Sequence, residues 1–400
     1  MTRTTTLGAA LVLGVLLGAT ACDNDELIRP AQFVPIDPLF DRYVSMGNSI
    51  TAGFQSDGIL DSTQLQAYPV LLARAMKSPF FAPLMNRPGC RPPFTNVFTQ
   101  ARLTPPGFPP STATSCYLRT APSIPPPYVS NTAVPGAEVL DIYNNLDTAS
   151  NANPLTTFIL GGMTQAQMMA RAKPTFVTIW IGNNDVLGAA TFSANAGDST
   201  RITAVPAFQT RYTTLLDAVA AAGTRGALLV GVANVTGIPF FSRGSTYYGL
   251  DQAGQIPGPF TATANCAPPR GDSVLVPFPF GAGLINVGGT LDCTEAQTVQ
   301  PAELIKLVTT VAAYNAYISS QATSRGWAYY DPNVTFDSLR TVPTAVAAFP
   351  LLNQPCNVNP FGTAFSCDAV HPSAATHRLI ANKVRMAINT KYSTQIPPIP

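Results

Sequence analysis

The chain has 400 residues, of which 11% are charged and 46% hydrophobic, with 38 prolines, 29 glycines and a formal net charge of +2. Charged residues usually make up about 25% of a globular protein, so polar neutral side chains and proline must cover most of this surface. Charge this sparse and balanced excludes nucleic acid as a partner, which calls for a clustered basic face. The absence of an apolar stretch of about 18 residues after the N-terminal segment excludes a multi-span membrane protein.

In chain order, the first segment reads as an export signal. Residues 1–21 carry one charge, Arg3, and an apolar run from Leu7 to Ala19 that is too short to span a bilayer. The run ends in small residues directly before Cys22, which resembles a bacterial lipobox. That resemblance implies cleavage, acylation of Cys22 and attachment to a membrane surface without a span. The expected location is the bacterial cell envelope. Asp23 after Cys22 is compatible with either membrane, so inner against outer stays open, as does the oligomeric state. Residues 22–40, with Asp23, Asp25 and Glu26 and then three prolines, read as a tether.

From residue 41 to 400 the pattern is that of one α/β domain. Strands are expected at Arg42–Met46, Phe176–Ile181, Gly226–Val232 and Trp327–Tyr330. Of these, 176–181 and 226–232 are apolar enough to be buried on both faces. Helices are expected at Tyr68–Met76, where Pro69 is tolerated in the first turn. Further helices are expected around Phe208, Tyr212, Leu215, Leu216 and Val219, at Ala302–Ser319 and at Ala374–Tyr392. Strands alternating with helices predict a parallel sheet covered on both faces. Two stretches, about 79–130 and 238–300, break the rhythm with Pro, Phe, Tyr and Gly and read as ordered insertions. Setting Cys22 aside leaves six cysteines in three sequence-local pairs, 90–116, 266–293 and 356–367. In an exported chain these imply disulfides between Cys90 and Cys116, Cys266 and Cys293, and Cys356 and Cys367. No C-x-x-C occurs, so zinc and dithiol redox chemistry have no support.

The chemistry-bearing residues fall at element ends. Ser49 in Gly47-Asn48-Ser49-Ile50 follows the first strand, where α/β sites lie. Only two histidines exist, His371 and His377. In Asp368-x-x-His371 the carboxylate can reach imidazole Nδ1 and leave Nε2 free as a base, although the same spacing also suits capping of the following helix. His377 lies within that helix and is expected to be structural or surface-exposed. Asn184 in Gly182-Asn183-Asn184-Asp185 follows the second buried strand and can donate to an oxyanion, or form an Asx turn. Gly136, in Asn131–Ala137, offers a bare backbone N–H.

Taken in order, these four motifs resemble those of the SGNH/GDSL hydrolase family over about residues 43–387. The resemblance implies a three-layer α/β/α sandwich with a flavodoxin-like, five-stranded parallel sheet. It implies Ser49 as nucleophile, Asp368 and His371 as its partners, and an oxyanion hole from Ser49 N–H, Gly136 N–H and the Asn184 side chain. No metal or organic cofactor is required. The family usually has Asp where this chain has Asn48, which changes the charge beside the nucleophile without removing the triad acid. The literal Gly271-Asp272-Ser273 is rejected as nucleophile, because no buried strand precedes it. The expected activity is hydrolysis of a carboxylic ester, with a lipid or other apolar acyl ester favoured by the aromatic insertions. A carbohydrate O-deacetylase and a non-catalytic, ligand-binding surface lipoprotein remain the alternatives.

Overall fold

In the computed structural model, which describes residues 34–116, 127–144 and 154–400, four parallel strands form the central sheet. They are β1 (Tyr43–Gly47), β2 (Phe176–Trp180), β3 (Gly226–Val230) and β4 (Ala328–Tyr330), hydrogen-bonded in that order. Every residue of β1, β2 and β3 is buried, as strands with both faces covered must be. Their registers align so that Gly47, Trp180, Val230 and Tyr330 end level along one edge. The chain that leaves that edge carries most of the chemistry.

Alternation along each strand sorts the core into two layers. Val44, Met46, Val177, Ile179, Ala227 and Leu229 face one apolar cluster. There they meet α3 (Gln165–Ala172), α5 (Val205–Ala221) and α6 (Pro301–Ser324). Tyr43, Phe176, Trp180, Leu228, Val230 and Ala328 face the other, where α2 (Tyr68–Met76), α7 (Asn333–Arg340) and α8 (Ala374–Tyr392) pack. On α8 the buried positions Ile380, Ala381, Val384 and Ile388 recur at helical spacing. Each fully buried Ile or Val side chain contributes roughly 1.5–3 kcal/mol of transfer free energy.

The sheet has four strands where five were expected. The fifth place, outside β1, is taken by residues 130–134. Ser130 O accepts from Ser45 N, Thr132 N donates to Ser45 O, and Val134 N donates to Gly47 O, with one bridge between Ser45 and Asn131. The Gly47 N–H that would continue this ladder to Thr132 O donates to Gln165 Oε1 instead, so the pairing stops at one bridge. The order is nevertheless that of a flavodoxin-like sheet.

Other boundaries moved for identifiable reasons. β3 stops at Val230 because the Val232 backbone is held by a side chain: its N–H donates to Asn315 Oδ1 and its O accepts from Asn315 Nδ2. Helix α6 runs to Ser324 because Ala322 keeps its apolar face buried. The folded unit begins at Pro35, so the stretch read as tether ends too late. Phe40 is buried and packs edge-on against Phe176, and Ile36 N donates to Met76 O. Residues 1–21 and Cys22 lie outside the described residues. Among the described residues no helix is long and apolar enough to cross a membrane.

The insertions are ordered over their described residues. Disulfides join Cys90 to Cys116, Cys266 to Cys293 and Cys356 to Cys367. The second insertion has its own small apolar cluster around the Cys266–Cys293 bond, including Tyr247, Phe260 and Val276.

Candidate active site

Ser49 opens the single helical turn α1 (Ser49–Ala52) directly after β1. Gly47 is required before it, because a Cβ there would lie 2.3 Å from Trp180 O and 2.5 Å from Thr51 Oγ1. Asn48 caps the turn, its Oδ1 accepting from Ile50 N at 3.1 Å. A residue that the sequence motifs did not single out fixes the strand end. Gln165 is buried, its Oε1 accepts from Gly47 N at 2.9 Å and its Nε2 donates to Gly47 O at 2.8 Å. Its only sequence signal was its place beside the capping Thr164, because the contact spans 118 positions. Gln165→Leu is expected to strand the Gly47 N–H, while Gly47 O keeps Val134 N, and cost roughly 1–3 kcal/mol. It is also expected to lower kcat by about 10²-fold through displacement of Ser49. Urea unfolding and steady-state kinetics check the two effects; a variant with wild-type kcat would remove Gln165 from the site.

Asp368 and His371 sit in the loop that precedes α8. His371 Nε2 lies 2.8 Å from Ser49 Oγ, and His371 Nδ1 lies 2.8 Å from Asp368 Oδ2. The Asp368 carboxylate also accepts from the backbone N–H groups of Val370, His371 and Asp57 and from the Ser366 hydroxyl. Burial pushes its pKa up, but the facing His371 and these hydrogen bonds outweigh burial and hold it at about 2. Asp368 does not cap the following helix; Ser373 does, accepting from Thr376 N. Thus the capping alternative for Asp-x-x-His does not apply.

The Cys356–Cys367 bond closes the loop one residue before Asp368. Opening it by Cys356→Ser with Cys367→Ser is expected to lower stability by about 3 kcal/mol. It should also reduce kcat about tenfold as the loop loosens. Thermal unfolding and turnover read the two effects, and unaltered turnover would exclude a positioning role.

Across from His371, Asn184 begins α4 (Asn184–Ala190), which follows β2. Gly182 makes that exit possible, at φ +112° and with a Cβ's place filled by Val232 Cγ2 at 2.8 Å. Asn184 Nδ2 donates one hydrogen to Ala137 O at 2.8 Å, which leaves its second hydrogen. Gly136, at φ +84°, occupies the third position of the turn Val134–Ala137, closed by Ala137 N to Val134 O. Pro at the second position and a positive φ at the third are the features of a type II turn. Among the described residues neither the Ser49 nor the Gly136 N–H donates to a protein acceptor. Asp185 ties this turn to α4 by accepting from Val139 N at 2.9 Å. Burial first, and then the neighbouring Glu138, raises its carboxyl to about 7.

His377 is buried and does not reach this site. Its Nδ1 accepts from Tyr68 N, and burial, reinforced by His371, keeps it neutral by lowering its pKa to about 3. Ser273 lies in the 3-10 turn Arg270–Ser273 of the second insertion.

Two clefts meet at His371. The smaller contains Ser49, Asn184 and His371. The other, several times roomier, has walls from both insertions and reaches Asp368 and His371.

This fold, with these side chains gathered beyond the C-terminal edge of its sheet, defines an α/β hydrolytic enzyme. The profile of GDSL-like Lipase/Acylhydrolase matches residues 43–384, and the chain belongs to that family. It is an ester-bond hydrolase acting on small-molecule esters. Among solved structures it is similar to Axe2, an acetylxylan esterase from Geobacillus stearothermophilus. The identity is 13%, with 88% of this chain and 93% of that chain covered and a TM-score of 0.38. It is also similar to LAE5, an alpha/beta hydrolase enzyme from the metagenome of Lake Arreo, Spain. There the identity is 13%, with 90% and 98% covered and a TM-score of 0.39. No curated protein matches.

Proposed function

We propose that the chain hydrolyses a carboxylic ester with a large apolar portion through an acyl-enzyme on Ser49, with His371 as base and acid and Asp368 as its partner. The observation that carries this reading is the unbroken hydrogen-bonded series from Ser49 Oγ through both ring nitrogens of His371 to a buried, ionised Asp368. His371 Nε2 accepts the Ser49 proton as Oγ attacks the carbonyl carbon. Asp368 holds the tautomer with Nδ1 protonated and stabilises the imidazolium. The N–H groups of Ser49 and Gly136 and the remaining Asn184 hydrogen receive the developing oxyanion. The imidazolium then protonates the alcohol oxygen as the C–O bond breaks. Water, deprotonated by His371, attacks the acyl-enzyme, and Ser49 leaves with that proton while the acid departs. Asn48 leaves no second carboxylate beside the nucleophile. The test is labelling of wild type and Ser49→Ala with a fluorophosphonate, followed by turnover of p-nitrophenyl esters. Serine-specific labelling and turnover that vanish in the variant are expected; labelling that persists would refute the assignment.

We also propose that the chain is exported and held at a membrane surface through acylated Cys22. The support is the apolar run that ends in small residues directly before that cysteine. Incorporation of an alkyne-bearing fatty acid in cells, lost in Cys22→Ala, is the expected result. Equal incorporation in both would reject the anchor.

A further inference from the structure

We propose that the wider of the two clefts binds the leaving alcohol of the ester, and that this alcohol is bulky and apolar. The inference rests on the acyl-enzyme reading above and adds a side to it. His371 receives the Ser49 proton and must deliver it to the alcohol oxygen, so the alcohol lies on the side of the carbonyl nearest the imidazole. Ser49 and Asn184 line only the smaller cleft, whereas Val370 and His371 border both. A substrate whose carbonyl sits over Ser49 therefore enters the wide cleft only by passing His371. The portion that passes it is the portion that takes its proton.

The chemistry of the walls points to an apolar group. The first insertion supplies Phe94, Val97 and Phe98, and the second side of the trough is built from Phe240, Phe278 and Ala282. Phe98 stacks on Phe361, and Phe278 packs edge-on against both Phe98 and Phe240, so the wall is braced from behind. Its polar members are committed or peripheral. The Asp57 carboxylate is paired with Arg91 and Arg102, while Gln100 and Asn286 are exposed at the rim. A sugar would leave its hydroxyls facing phenyl rings with few partners, an arrangement that buried polar groups disfavour.

The smaller cleft points the opposite way. Its interior offers several times less room than the wider cleft, enough beside Ser49 for a short acyl group and not for a long chain. The acyl portion is accordingly short and the bulk is on the alcohol.

Two ester series on the full chain separate the sides. One holds the acyl group as acetyl and lengthens the alcohol from methanol to octanol and 2-(1-naphthyl)ethanol. The other holds methanol and lengthens the acid from acetate to octanoate. The expected result is a rise in kcat/KM of about tenfold or more along the alcohol series, and none along the acid series. Ala282→Trp, which fills the trough, should lower the ratio of naphthylethyl to methyl acetate turnover by about tenfold. Asn286→Trp at the exposed rim repeats the test should the first variant fail to fold. Calorimetry of 2-(1-naphthyl)ethanol with Ser49→Ala should detect binding that Ala282→Trp, added to it, abolishes. A rise along the acid series instead, or a preference for per-acetylated methyl xyloside, overturns the inference while Ser49-dependent turnover upholds the acyl-enzyme reading. Loss of turnover for every ester defeats that reading, and the calorimetry then still decides whether the trough takes the alcohol.

Discussion

Ser49→Ala is expected to lower kcat by about 10⁴–10⁶-fold on every ester the protein turns over, with little change in stability. Loss of a nucleophile removes the covalent route entirely, and what survives is the contribution of the oxyanion donors and of binding. The fold should hold because, among the described residues, the Ser49 hydroxyl pairs only with His371 Nε2. The turn it opens is capped by Asn48, not by its own hydroxyl. Steady-state kinetics beside a thermal melt read both quantities. A kcat within about tenfold of wild type, on a protein that melts normally, would mean that another nucleophile carries the reaction. Because KM includes binding in both clefts, a loss confined to kcat would also separate chemistry from recognition.

The second large effect is at Asp368. Asp368→Asn should lower kcat by about 10⁴-fold, because an amide facing Nδ1 no longer holds the tautomer that leaves Nε2 unprotonated. Unlike Ser49→Ala, it should also destabilise the protein by roughly 2–4 kcal/mol. The carboxylate accepts from three backbone N–H groups, the Ser366 hydroxyl and His371, and an Asn presents two hydrogens where donors already point. The pH dependence has a definite sign. The folded carboxyl sits at about 2 against an ordinary value of 3.8. Its stabilisation is therefore complete above about pH 4 and drains away as the pH falls towards 2. Melting temperatures between pH 2 and pH 7 should show that acid-side loss in wild type and lack this component in Asp368→Asn. Parallel curves for the two proteins would show that Asp368 is not held ionised by the loop.

The parts of this protein that follow local rules were readable along the chain. The bounds of α2 and α8 agree with the helical spacing of their apolar residues, and β1, β2 and β3 agree to within one or two residues with the apolar runs. Strands buried on both faces leave no choice but continuous apolar sequence, which is why they announce themselves. The candidate site residues were equally visible, because each follows a strand or precedes a helix, where backbone geometry restricts which residue can stand. Gly47 and Gly182 are examples: the space for a side chain is already filled.

Contacts between distant segments were not readable. Gln165 clamps Gly47 from 118 positions away, and Asp57 N donates to Asp368 across 311. The fifth strand faded to a bridge because Gln165 takes the Gly47 N–H that would continue the ladder, a donor claimed by a neighbour the sequence does not name. The two insertions could be recognised by composition, but not that their phenyl rings would form one trough ending at His371.

The sequence by itself determined the α/β pattern, the strand ends that carry Ser49 and Asn184, and, with only two histidines to choose from, His371 as the candidate base. Only the tertiary structure decided that Ser49, His371 and Asp368 meet within hydrogen-bonding distance and that His371 divides two clefts of unlike size. The physical reason is that periodicity and turn chemistry act over a few residues. The distance between Ser49 and His371, 322 positions apart, is set by the packing of α2 and α8 against each other on one face of the sheet.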